Sequence, residues 1–73
     1  MKLNEFIKVL NGVDVLVLDS VTNDIIYKGR SSCIKQNPKM FKNYDIVAVF
    51  SGDKDDYYDL EIDVKGKIRI WLN

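Results

Sequence analysis

Strict two-residue alternation near the C-terminus constrains this chain more than any other feature. Tyr58, Leu60, Ile62 and Val64 fall on one side of an extended segment and Asp59, Glu61 and Asp63 on the other, which marks a strand with one buried and one wet face. Lys67 to Leu72 repeats the pattern, with Ile68, Ile70 and Leu72 opposed to Lys67, Arg69 and Trp71. Together with the apolar run after Asp45, this predicts a three-stranded antiparallel meander of Asp45–Phe50, Tyr57–Val64 and Lys67–Leu72. A two-residue loop at Lys65-Gly66 would set Ile62 opposite Arg69 and mix the faces. A three-residue loop, Val64-Lys65-Gly66, places Gly66 at the left-handed bulge position. It pairs Ile62 with Ile68, Leu60 with Ile70, Asp63 with Lys67 and Glu61 with Arg69.

The first half predicts a helix and a hairpin. Leu3, Phe6, Ile7 and Leu10 share one helical face, Asn4 stands where an N-cap would, and Asn11-Gly12 offers a left-handed stop. Val13–Leu18 and Ile25–Lys28 are β-branched and aliphatic runs separated by the turn-forming Asp19-Ser20-Val21-Thr22-Asn23-Asp24. Residues Gly29–Gln36 read as irregular. Asn37-Pro38 then opens a short helix, Pro38–Lys42, with Pro at the first helical position. The expected architecture is α+β: N-terminal helix, β-hairpin, short helix and meander, forming one sheet in a single domain over residues 1–73. The expected core is Phe6, Leu10, Val15, Val17, Leu60, Ile62, Ile68 and Ile70. The run Ile46–Phe50 is apolar throughout, so it should be covered on both faces or paired at an interface.

Charge is neutral in total and uneven in layout. Lys28, Arg30, Lys35, Lys39 and Lys42 occur with no acid among them, whereas Asp45, Asp53, Asp55, Asp56, Asp59, Glu61 and Asp63 follow with Lys54 as their one cation. Such blocks steer association and do not dictate fold. The lone Cys33 excludes an internal disulfide, and no apolar run approaches a membrane span or a signal-peptide core. The expected setting is the cytoplasm, away from membranes.

Catalytic chemistry has little to work with, because the chain has no His and so lacks the commonest general base and metal ligand. Cys33 without a His partner reads as a packed or half-exposed residue, and one thiol builds no zinc site. The Asp53-Lys54-Asp55-Asp56 segment suggests calcium, but a loop opened at Asp53 has Tyr58 where Gly belongs and Val64 where Glu belongs. The four Gly are isolated, so no phosphate cradle exists. The reading is therefore non-enzymatic, with no cofactor and no metal.

Carboxylates interleaved with aromatics give the candidate binding surface: Asp53, Asp55, Asp56, Tyr57, Asp59, Glu61 and Trp71, facing a protein with a basic surface. Trp71 lies on the polar side of its strand by alternation, as an interface anchor or under a covering loop or short helix. Two other classes stand beside this one. The apolar Asp45–Phe50 strand favours self-association as a homodimer or structural accessory, and Lys28–Lys42 offers a basic segment for nucleic acid, which the adjoining acids disfavour.

The order of elements and the strings Met1-Lys2-Leu3-Asn4-Glu5-Phe6-Ile7, Val15-Leu16-Val17-Leu18-Asp19 and Ile26-Tyr27-Lys28-Gly29, with a short helix after Pro38 and a terminal alternating hairpin, resemble small proteins of phages and prophages of low-GC Gram-positive bacteria. That group includes anti-CRISPR proteins and other inhibitors of host defence. The resemblance implies a phage-encoded, non-enzymatic inhibitor of a host defence protein.

Overall fold

A computed structural model describes residues 1–36, 39, 43–53, 55 and 57–66. Its elements are α1 (Leu3–Ile7), β1 (Asp14–Asp19), β2 (Ile25–Arg30), α2 (Ser31–Gln36), β3 (Tyr44–Ser51) and β4 (Leu60–Gly66). The four strands form one mixed sheet in the order β2-β1-β4-β3. Both helices lie on the same face. Leu3 and Ile7 of α1 and Ile34 of α2 close over Val15, Val17, Ile62 and Val64, all excluded from solvent.

The hairpin forms as its residues dictate. β1 and β2 pair antiparallel, with Ile26 as the extra residue of an irregularity between Val17 and Leu18. Asp19 makes the turn. Its Oδ1 accepts from the N–H groups of Val21 at 2.8 Å and Thr22 at 3.1 Å, and Asn23 takes a left-handed φ of 63°, the local chemistry by which Asp and Asn favour turns.

Of the expected meander, the first pair forms, with β3 and β4 antiparallel, but β4 is not followed by a third strand beside it. β4 lies between β1 and β3: it runs parallel to β1, with Val15 opposite Leu60 and Val17 opposite Ile62, and antiparallel to β3, with Val49 opposite Ile62. Both flanks of Leu60 and Ile62 are therefore taken, and neither Ile70 nor Ile68 can be their neighbour. Glu61 and Asp63 likewise face Leu16 and Leu18 on one side and Phe50 and Ala48 on the other, so the expected Glu61–Arg69 and Asp63–Lys67 pairs are excluded. The cause is β1. Val15-Leu16-Val17-Leu18 is apolar on both faces, as parallel strands often are, and β4 pairs with it in parallel. Val64 is fully buried opposite Ile46, so β4 continues through the expected loop to Gly66. The expected third strand, Lys67–Leu72, lies outside the described residues, as do Ile68 and Ile70 of the expected core.

Other boundaries shift for local reasons. The first helix ends at Ile7, one turn short of Leu10, and Lys2, not Asn4, is the N-cap. The Lys2 N–H donates to Glu5 Oε1 at 3.1 Å, while Asn4 Oδ1 is buried with no hydrogen-bond partner. Gly12 takes the expected left-handed conformation, φ 60°. Residues 29–36 are not irregular: β2 runs to Arg30 and α2 follows at once. Ser31 anchors that junction from a buried position, donating its N–H to the Val13 carbonyl at 2.8 Å and accepting the Val13 N–H at Oγ, 3.4 Å. The expected Pro38–Lys42 helix falls largely outside the described residues.

Candidate functional site

The fold gathers exposed apolar and acidic groups at one end of β3. β3 is an edge strand. Helix α1 reaches only its beginning, where Lys2 bridges to Asp45 and the Ile46 N–H donates to the Met1 carbonyl at 2.9 Å. Lys2 Nζ also meets Asp45 Oδ1 at 3.0 Å. Further along, Val47 is 58%, Val49 41% and Phe50 51% exposed. Val49 points to the helix-bearing face beside Ile62, and Phe50 to the opposite face beside Glu61. The strand is thus neither covered on both faces nor closed at its outer edge among the described residues.

β3 leads directly into the acidic loop, and the loop is tightly folded. The Gly52 N–H donates to the Asp59 carbonyl at 2.8 Å, and the Tyr58 N–H to the Asp53 carbonyl at 3.4 Å. Asp53 Oδ1 accepts the Asp55 N–H at 2.9 Å, a local turn of the kind short polar side chains form. Tyr57 has a left-handed φ of 61° and is 84% exposed. Asp53 and Asp55 are exposed as well. Asp53, Asp55 and Tyr57 are thus exposed in the loop that follows β3, while Val49 and Phe50 are exposed on its opposite faces.

Two further candidates have structural duties instead. Asp59 ties the loop to β1 by reciprocal bonds: its Oδ2 accepts the Asp14 N–H at 2.9 Å and its own N–H donates to the Asp14 carbonyl at 2.7 Å. Glu61 lies on the sheet face opposite the helices, in the cross-strand row Lys28, Leu16, Glu61, Phe50. Tyr58 leaves the loop to lie across this row, hydrogen-bonded to Glu61, with Lys28 Nζ 6.0 Å from its ring centroid. Leu16, in the same row, is buried. Burial first, and the neighbouring Asp63 second, push the Glu61 carboxyl above the usual carboxylate range. Asp56 and Trp71 lie outside the described residues.

The basic segment is divided between faces. Lys28 and Arg30 project on the open sheet face, where Arg30 meets Asp14 at 3.6 Å. Lys35 belongs to α2 in the helix layer and reaches Asn11 Oδ1 at 3.4 Å. Cys33 is exposed on α2, and burial together with a hydrogen bond to Cys33 raises the Tyr27 phenol above its ordinary value. Among the described residues no three His, Cys, Asp or Glu are placed to hold a metal ion, and no helix is long and apolar enough to cross a membrane.

The sequence left Asp45–Phe50 either covered on both faces or paired at an interface, and did not name Val47, Val49 and Phe50 as site residues. The signal was present in the uninterrupted apolar run, which fits an edge strand waiting for a partner as well as a fully covered one. Comparison with known protein families, characterised proteins and solved structures finds no match to this chain.

Proposed function

We propose that this protein is a non-enzymatic protein-binding module whose contact surface is the end of β3 and the loop that follows. The observation that carries this reading is an edge strand with exposed apolar Val47, Val49 and Phe50 that runs directly into a loop exposing Asp53, Asp55 and Tyr57. Aromatic and aliphatic anchors beside a charged rim are the anatomy of a protein interface. Carboxylates at that rim suit a partner with a basic surface, and they act chiefly on encounter rate and specificity. The phage resemblance makes a host defence protein the partner class, in the cytoplasm of a bacterial host, with the module acting as its inhibitor. Direct nucleic-acid binding is the weaker alternative, because Lys28 and Arg30 share their face with Glu61 and Asp63 while Lys35 belongs to the helix layer.

The test removes charge and keeps the loop. Asp53→Asn retains the oxygen that accepts the Asp55 N–H, so a D53N/D55N double variant should fold like the parent. Protein immobilised and exposed to a bacterial host extract should retain a partner that high salt releases. The double variant should retain at least about tenfold less, the effect of roughly 1.4 kcal/mol spread over two rim charges. Equal retention by the variant, or salt-insensitive retention, would remove the acidic loop from the proposed surface.

A further inference from the structure

Two carboxyl groups stand side by side on the open sheet face with no donor between them. Glu61 and Asp63 are two residues apart on β4, so both project on the face opposite the helices. Their cross-strand neighbours are apolar: Leu16 and Phe50 flank Glu61, and Leu18 and Ala48 flank Asp63. Asp63 Oδ1 is shut off from solvent and has no hydrogen-bond partner. A buried acceptor left in that state is costly and calls for an explanation.

Among the described residues, the charged and titratable groups around the pair do not supply that donor. Tyr58, from the loop, is hydrogen-bonded to Glu61, and Lys28 of β2 lies 6.0 Å from its ring centroid. Asp59 is committed to the Asp14 N–H, and Arg30 of β2 meets Asp14 of β1 at 3.6 Å. On the β3 side, Asp45 lies opposite Lys65 and meets Lys2 at 3.0 Å. A cation from solution cannot reach a sealed oxygen. A proton carried on Glu61 can: the Glu61 carboxyl then donates to the Asp63 carboxylate, while its other oxygen still accepts from the Tyr58 phenol.

We infer that Glu61 and Asp63 hold one proton between them, and that this proton braces the open face of the sheet so that the fold tightens as the medium becomes acidic. Burial first, and Asp63 second, push the Glu61 carboxyl upward, in agreement. On deprotonation the proton passes to solvent, and two carboxylates, acceptors only, are left facing each other in an apolar row. Glu61 thus holds its proton more tightly in the folded chain than in the unfolded one, where a Glu titrates at about 4.3. The contribution of the pair is complete below that value and is lost as pH rises through the folded Glu61 transition. The foreign partner proposed above plays no part in this pairing.

Glu61→Gln mimics the protonated state at every pH, since its amide donates to Asp63 and carries no charge. Urea titration of the full chain should give this variant a higher midpoint than the wild type at about pH 7, and the gap should close by about pH 3, where the wild-type pair has its proton. Carbon-13 spectra of the labelled wild type should place the Glu61 carboxyl transition above the ordinary glutamate value, with the Asp63 carboxyl signal moving in the same step. Asp63→Asn removes the neighbouring charge and offers Glu61 a donor, so the Glu61 transition should fall. A wild-type Glu61 transition at or below the ordinary value overturns the inference, as does one that Asp63→Asn leaves in place. An equal gap between Glu61→Gln and wild type at both pH values also overturns it, because Glu61 would then act by packing alone. Should Asp63→Asn fail to fold by circular dichroism, the wild-type transition and the pH dependence of the gap decide.

Discussion

Ile62→Ala removes most of the stability of the fold at 25 °C. Ile62 is fully buried at the centre of the cross-strand row Tyr27, Val17, Ile62, Val49, under the side chains contributed by both helices. Removing a buried Ile to Ala costs about 2–5 kcal/mol, because the transfer energy of the lost groups is joined by a cavity that neighbours fill only in part. A core in a chain of this size supplies only about 3–5 kcal/mol in all. Ile62→Val removes one methylene group and costs about 0.5–1.5 kcal/mol, so it stays folded. Urea titration followed by far-ultraviolet circular dichroism separates the two. A loss below about 1 kcal/mol for the Ala variant, within the range of ordinary surface changes and small trims, would contradict the central place of β4.

Gly52→Ala has the next largest effect, and it acts on the loop that carries the binding surface. A Cβ at this position would stand 2.1 Å from the Tyr58 carbonyl oxygen and 2.4 Å from the Asp59 carbonyl carbon. Backbone, not a flexible side chain, blocks it. The loop must separate from the end of β3, losing the bond from the Gly52 N–H to the Asp59 carbonyl and straining the two bonds between Asp59 and Asp14. Overpacking of this kind costs about 1–3 kcal/mol, with each lost hydrogen bond adding about 0.5–1.5 kcal/mol. Gly66→Ala is the control, since its Cβ would meet only the Tyr44 ring, at 3.0 Å, and a ring can shift. The expected result is a large fall in urea midpoint for Gly52→Ala and a small one for Gly66→Ala. Equal midpoints would mean that the loop does not close on Gly52.

Local chemistry was legible in the sequence, and neighbour choice was not. The alternation of Leu60, Ile62 and Val64 against Glu61 and Asp63 read the faces of β4 correctly, whereas Tyr58, expected on the apolar face at the start of the same strand, precedes β4 and lies against Glu61 and Lys28 on the other face. The turn chemistry of Asp19 and Asn23 fixed the first hairpin. Alternation cannot say which strand lies beside which, however, and a short loop always makes the next segment look like the partner. The available clue was Val15-Leu16-Val17-Leu18, a run apolar on both faces of the kind parallel strands show. Helix α2 was missed because six residues give too little periodicity, and because its anchor is the buried Ser31 against Val13, a contact between residues distant in sequence. The candidate site divides the same way. Asp53, Asp55 and Tyr57 come together because they share one loop, whereas Asp59 and Glu61 are drawn into bonds with Asp14 and Tyr58 that composition does not announce.

The position of β4 between β1 and β3 is the claim on which the edge position of β3 and the placement of the acidic loop both depend. Isotope-labelled protein at a concentration low enough to be monomeric gives it a direct reading through nuclear Overhauser contacts around Ile62. Backbone and methyl contacts from Ile62 to Val17 on one side and to Val49 on the other are the predicted result. Contacts from Ile62 to Ile68 and from Leu60 to Ile70, with none to Val17, would contradict it.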